Sequence, residues 1–383
     1  MRALRSVVAI VSLGLLSACT NYYSSGGSGS GSGSGGATGS GGATGSGGAT
    51  GSGGGDAGSG HVLSLGRVLT PGQMILDGHD LVLTGQDYDG KAGVLLRVSP
   101  SDGKVSVLAG GKVDFNVGTP LVADATNFYV FAREVEGSLA GSIFAVPRAG
   151  GAPVKLADSA AGVFALAVDA SRIYWADSAP PPMTATSAIK AAPLAGGAPA
   201  VVVAAQLARS LAVDATSIYW STDDGDLAGP PAGTILSAPL AGGMPITLAT
   251  AQSWPTSLVL DGPTLYWLDA GAVGVDCSPM DGALMKVAIA GGPPDTLAKN
   301  LAGLKAFAVA GDHVIMSTAG ASCNGEPVTA PGSITKVPSA GGPAVTIAPN
   351  TTGGIVVVDG SRVYWTGNDG APTGTLVIHW AAD

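Results

Sequence analysis

Past Gly60 the chain alternates between short apolar runs and brief polar punctuation. A typical stretch is LAVDASRIYWADS, residues 166 to 178. It holds an apolar run, an aspartate with two turn residues, and a second run of β-branched and aromatic residues. Runs this short, bounded by Gly, Pro, Asp or Ser, predict strands. The pattern returns forty-five residues later as LAVDATSIYW, residues 211 to 220.

The aspartate serves as a ruler. It falls at Asp77 in MILDGHDLVL, Asp124 in LVADATNFYV, then Asp169, Asp214, Asp261 in LVLDGPTLYW and Asp359 in VVVDGSRVYW. Ala310 of FAVAGDHVIM occupies the same place in the sixth of seven units. Successive positions are 47, 45, 45, 47, 49 and 49 residues apart. Each unit continues into a second strand pair around a Gly-Gly or Asp-Gly turn, as in SAIKAAPLAGGAPAVVVAA. Paired residues with positive φ suit tight two-residue hairpins.

Four strands in about 46 residues, repeated around a ring, predict an all-β, seven-bladed β-propeller with four-stranded blades. A helical solenoid is excluded by the β-branched and aromatic runs and the frequent Gly and Pro. The last unit stops after GTLVIHWAAD with three strands, and HVLSLGRVL supplies a spare strand ahead of the first unit. Pairing of that N-terminal strand with the last blade is expected to close the ring and leave no open edge.

The pattern LAVD…IYWADS…IKAAPLAGG resembles the YWTD repeat of low-density-lipoprotein-receptor propellers and bacterial propellers built on it. All seven units take part, most clearly units three to five and seven. Tyr174-Trp175 is followed by Ala-Asp, Tyr266-Trp267 by Leu-Asp and Tyr364-Trp365 by Thr-Gly, which departs from the family pattern. The receptor family normally has six blades, against the seven units counted along this chain. The resemblance implies a fold and a binding role and carries over no catalytic residue.

The ruler residues Asp77, Asp124, Asp169, Asp214, Asp261 and Asp359 read most simply as turn devices, accepting N–H bonds from the residues that follow. Ligation of a central metal is the functional alternative. Tyr174, Trp175, Tyr219, Trp220, Tyr266, Trp267, Tyr364 and Trp365 read as packing between blades. An aromatic recognition surface is the other reading.

From the ruler to the Trp position the offset is six in every unit: Leu83, Val130, Trp175, Trp220, Trp267, Met316 and Trp365. From there to the third strand the connections differ, with lengths of 9, 10, 11, 12, 14, 15 and 8 residues. Variation therefore concentrates on one face of the ring, and binding residues sit on such loops over a rigid scaffold. That face is acidic. It carries Asp87 and Asp89, Glu134 and Glu136, Asp177, Asp223, Asp224 and Asp226, Asp269, Asp276, Asp281, Glu326 and Asp369.

Calcium takes several oxygen ligands, so Asp87, Asp89, Asp223, Asp224, Asp226, Asp276 and Asp281 are candidate ligand or Ca2+ residues, although no stretch has a full calcium-loop spacing. A solvated acidic rim that aids solubility is the plain alternative. Cys277 and Cys323 lie in the long loops of adjacent units. Outside the cytoplasm they are expected to pair. The disulfide would contribute about 3–4 kcal/mol by loop entropy.

The ends place the domain in a compartment. Residues 1–18 form a signal peptide: Arg2 and Arg5, then an apolar run from Val7 to Ala18 that is too short for a permanent span. Leu16-Ser17-Ala18-Cys19 resembles a bacterial lipobox, which implies lipidation at Cys19. Thr20 follows, not Asp, which points towards the outer membrane, on its periplasmic side or at the cell surface. Residues 19–60 are the lipidated cysteine and a tether rich in Gly, Ser, Ala and Thr, with GGATGS three times in tandem. Nothing there buries apolar surface. Its Ser24–Gly60 part should reach about 30–36 Å as a flexible coil. Residues 61–383 are the propeller.

The formal charge of −9 becomes −11 once Arg2 and Arg5 leave with the signal peptide, 16 basic against 27 acidic groups. An acidic surface argues against nucleic-acid binding. The four histidines are scattered at His61, His79, His313 and His379, and no Gly-x-Ser-x-Gly, His-Glu-x-x-His or Cys-x-x-Cys occurs. No catalytic residue is assigned. The sequence reads as a monomeric, membrane-tethered binding or scaffold module for a protein or glycan partner. The alternative is a propeller lyase or hydrolase with its site at the channel mouth.

Overall fold

The computed structural model describes residues 61–65, 68–87, 93–110, 120–133, 140–159, 162–178, 187–204, 207–222, 232–271, 282–321, 330–351, 353–368 and 376–383. These form seven four-stranded antiparallel sheets, and no helix occurs among them. Six of the sheets are each one sequence unit, and the seventh combines the last unit with the spare N-terminal strand. In blade 3, Gly162–Val168, Arg172–Ser178, Ala188–Pro193 and Ala200–Ala204 pair in that order.

The first strands of the other blades are Val68–Asp77, Leu121–Ala123, Ala208–Val213, Pro255–Asp261, Leu304–Ala310 and Val356–Asp359. Each first strand packs against the first strands of both neighbours, blade 7 on blade 1 included. These seven strands therefore surround the axis. The fourth strands form the circumference, where Val107, Val154, Val201, Ile246 and Val345 stay exposed.

The ring closes through the spare strand. His61–Ser64 pairs antiparallel with Leu376–Ala382, placing His61 opposite Trp380 and Ser64 opposite Val377. Blade 7 thus takes its fourth strand from ahead of blade 1, and no blade is left a strand short.

Aromatic residues fill the wedges between blades. Trp175 packs on Tyr129, Phe131 and Ile143 of blade 2. Trp220 packs on Tyr174 and Ile189 of blade 3, and Trp267 on Tyr219 and Ile235 of blade 4. All three indoles are fully buried. Large-to-small truncation of such a residue costs about 3–5 kcal/mol.

Two details depart from the sequence reading. The turn between third and fourth strands is longer than a two-residue hairpin: blade 3 leaves its third strand at Pro193 and re-enters at Ala200. The Gly196 N–H donates to the Pro193 carbonyl at 3.0 Å, closing a β-turn. Gly196 and Gly197 then follow with φ of 88° and 144°. The glycine pair re-aims the chain after the turn instead of forming it.

The second detail lies in the first strands. Pairing with the second strand slips by one residue at Phe164, Arg209 and Lys305 in blades 3, 4 and 6. Blades 1 and 5 slip within Pro71–Met74 and Thr256–Val259. A β-bulge of this kind bends the strand and re-aims its extra side chain.

Candidate functional site

The ring has two ends. At one end lie the turns between first and second strands, where the ruler aspartates sit. In blade 2, Asp124 Oδ1 accepts the backbone N–H of Thr126 at 2.6 Å and of Asn127 at 2.8 Å. Its Oδ2 accepts the Tyr129 hydroxyl at 2.6 Å. Asp169 repeats this with Ser171, Arg172 and the Tyr174 hydroxyl, at 2.7, 2.8 and 2.7 Å. Asp214 does so with Thr216, Ser217 and the Tyr219 hydroxyl, at 2.7, 2.7 and 2.8 Å.

Partial burial opposes ionisation of these carboxylates. The hydrogen bonds outweigh it and hold all three below the ordinary carboxylate value. Burial first, and the bonded carboxylate second, push Tyr129 and Tyr219 up to about 12. Carboxylates so engaged have little capacity left for a metal.

Asp77 has Val82 in place of that tyrosine, and both Asp77 and Asp359 bind across blades. Asp77 forms salt bridges with Arg97 of its own blade and Arg148 of blade 2. Both guanidinium groups lie over the Phe128 ring, at 5.9 and 5.2 Å from its centroid. The exposed His79 Nδ1 donates to Asp359 Oδ2 at 2.8 Å, joining blade 1 to blade 7. That bond raises the His79 pKa. Asp261 lies in a turn with Gly262 at φ 56°.

His313 joins blades 6 and 7. It sits 2.7 Å from Asp312 Oδ1 through Nδ1 and 2.7 Å from Asp383 Oδ2 through Nε2. Lys336 Nζ donates to Asp383 Oδ1 at 2.8 Å. His379 is stacked on Trp365, 5.6 Å between centroids, and burial lowers its pKa. His79 and His313 therefore serve separate joints of the ring, and His379 packs within blade 7. Among the described residues no three His, Cys, Asp or Glu side chains converge as a metal-holding group.

The other end carries the connections from second to third strands. Of the candidate loop residues, Asp87 ends the strand Asp80–Asp87. Asp89, Asp223, Asp224, Asp226, Asp276 and Asp281 lie outside the described residues, as do Cys19, Cys277 and Cys323.

Asp177 and Asp269 do not belong to a solvated rim. Both are buried at the ends of second strands, two residues after the Trp. Asp177 Oδ1 accepts Trp175 Nε1 at 2.8 Å and the Ser159 hydroxyl at 2.8 Å, and its Oδ2 pairs with Lys190. Asp269 Oδ1 accepts Trp267 Nε1 at 3.1 Å, and that N–H is shared with Gln252 Oε1 at 3.1 Å. Among the described residues no Lys stands beside Asp269 as Lys190 stands beside Asp177, and burial pushes its carboxyl up to about 6.

In blade 4 the same position is Thr222, and Trp220 Nε1 is buried without a partner. The Trp-x-Asp pairs and the Asp–Tyr pairs were both legible as fixed offsets, but reading the aromatics as packing alone overlooked their polar atoms.

No family model and no curated protein matches the chain. Solved structures do. An oligogalacturonate lyase from Vibrio parahaemolyticus is 12% identical, with 84% of this chain and 91% of that one covered and a TM-score of 0.58. A puromycin hydrolase is 14% identical with a TM-score of 0.54, over 80% of this chain and 51% of that one. A chain of a nidogen/laminin complex is 19% identical with a TM-score of 0.43, over 63% of this chain and 86% of that one. For the lyase and the hydrolase, at such identities, the likeness is one of fold.

Proposed function

We propose that this chain is a lipid-anchored module of the bacterial cell envelope. In this reading it binds a protein or glycan partner through the face of the strand 2–3 loops and performs no chemistry of its own. One observation carries it. The step from ruler to Trp position is constant at six residues in all seven units, while the seven strand 2–3 loops all differ in length, from 8 to 15 residues. A rigid ring with one invariant face and one diversified face is how a scaffold presents recognition loops. The acidic loop residues named above would supply its polar contacts, with Ca2+ bridging some of them.

Anchoring rests on Leu16-Ser17-Ala18-Cys19 and the tether that follows. Cys19→Ala is expected to release the protein from membranes, and continued anchoring would remove the lipobox from the account. Partner binding is tested by pulldown from membranes with the loops of units five and six shortened. Loss of the wild-type partners supports the loop face, and an unchanged set counts against it.

A second reading, a propeller lyase or hydrolase, has one observation in its favour: solved structures of similar fold include a lyase and a hydrolase. It requires acid and base groups gathered at the channel mouth. The histidines described above are instead spread over separate blades.

A further inference from the structure

Blades 3 and 7 share a pair of positions and fill them differently. Three residues after the ruler stands an arginine in both, Arg172 and Arg362, and in no other blade. Two residues on, Tyr174 and Tyr364 each pair with one residue of the third strand: Ala191 in blade 3 and Trp380 in blade 7. In blade 7 the Arg362 guanidinium carbon lies 4.6 Å from the centroid of the Trp380 ring. That indole is half-buried and packs on a core that includes Leu81 of blade 1 and Tyr364 of blade 7.

In blade 3 the methyl group of Ala191 cannot fill the space that an indole fills. A groove of about 270 Å³ lies there, lined by Arg172, Ala191, Pro193, Val201 and Val202 of blade 3 and by Leu240 of blade 4. A small residue in the third strand does not by itself make this arrangement. Blades 2 and 4 have Ala145 and Ser237 opposite their tyrosines, but Asn127 and Ser217 in place of the arginine. Blade 3 alone keeps the cation and omits the ring.

We propose that the groove between blades 3 and 4 binds a small planar aromatic molecule of the indole class, stacked on Arg172 as Trp380 is stacked on Arg362. The lining is mainly aliphatic, with one exposed cation, Arg172. That combination favours a ring over an alkyl group of equal size, because the ring adds an attraction between its face and the cation. The contact uses the flat face of the guanidinium, so it does not require a free N–H. The volume is below that of sites for drug-sized ligands, which suits a single fused ring system. The groove adjoins the strand 1–2 turn that holds Arg172, so it goes beyond the loop-face reading and does not depend on it.

Fluorine NMR of 5-fluoroindole with the full chain tests it, against fluorocyclohexane, which is apolar but not aromatic. Saturable binding of 5-fluoroindole alone is expected. Ala191→Trp supplies the ring from the chain itself, as blade 7 does, and should abolish binding. Arg172→Gln should weaken it about two- to fivefold, the loss of an exposed cation–π contact. Should either variant fail to fold, the wild type still decides: 5-fluoroindole must slow phenylglyoxal modification of Arg172, followed by mass spectrometry, and leave that of Arg362 unchanged. Shortening the loops of units five and six should leave indole binding intact, which separates this site from the partner surface. No saturable binding by the wild type, equal binding of fluorocyclohexane, or unchanged affinity in either variant would overturn the proposal. N-acetyl-tryptophanamide displacing 5-fluoroindole at lower concentration than indole does would also overturn it, by assigning the groove to a partner's side chain.

Discussion

Asp269→Asn should make the protein more stable at neutral pH and leave it unchanged in acid. Burial raises the Asp269 carboxyl from an ordinary 3.8 to about 6. The folded state therefore keeps a proton that the unfolded chain has already released between about pH 4 and pH 6. Its contribution to stability is full below the unfolded value and is lost as pH rises through the folded one. A shift of about two units corresponds to about 2–3 kcal/mol at pH 7 and above. Asparagine is the neutral analogue and keeps an oxygen to accept Trp267 Nε1.

Urea denaturation at pH 4.5 and 7.5 reads the difference directly. The variant should gain about 2–3 kcal/mol on the wild type at pH 7.5 and only about 1 kcal/mol at pH 4.5, which lies just above the unfolded value. An equal loss at both pH values would refute the burial argument. Blade 3 supplies the control: Lys190 stands opposite Trp175 there, whereas Met285 stands opposite Trp267. Met285→Lys should recreate the pair and bring the Asp269 titration back towards 3.8.

The other predictions concern the same joints. Asp177→Asn leaves Lys190 without its counter-charge and should cost about 1–3 kcal/mol at pH 7.5, the opposite sign to Asp269→Asn, in the same denaturation assay. Trp175→Phe and Trp220→Phe lose similar ring area, but only Trp175 gives up a hydrogen bond. The first should therefore be the more damaging by about 1–2 kcal/mol, and equal losses would contradict the assignment. Tyr129→Phe, Tyr174→Phe and Tyr219→Phe should each cost about 1 kcal/mol, since each removes the donor to one aspartate oxygen. NMR titration should place the His79 pKa above 6.5, and Asp359→Asn should return it to that value.

The blade count and the closing strand were legible because a propeller writes its period into the chain. Asp124, Asp169 and Asp214 could be found by spacing alone, and so could the Tyr five residues after each. What local pattern could not show was partnership between blades. Arg148 reaches Asp77 across 71 residues, and His313 reaches Asp383 across 70. Nothing near either residue in sequence marks such a pairing. Asp177 and Asp269 were read as rim acids from their place beside variable loops, yet both are buried under an indole N–H. Burial depends on what packs from the next blade, which a single repeat does not contain. The bulges at Arg209 and Lys305 were equally hidden, because their residues fit the strand alternation on either side.

The central claim, that recognition occurs on the strand 2–3 loop face, is tested most directly by photocrosslinking in living cells. A photoreactive residue would be placed at Val275 or Val328 in two loops, and at Ser171 or Thr216 in two strand 1–2 turns. Discrete crosslinked partners are expected from the loop positions and none from the turns. Crosslinks confined to Ser171 and Thr216 would contradict it.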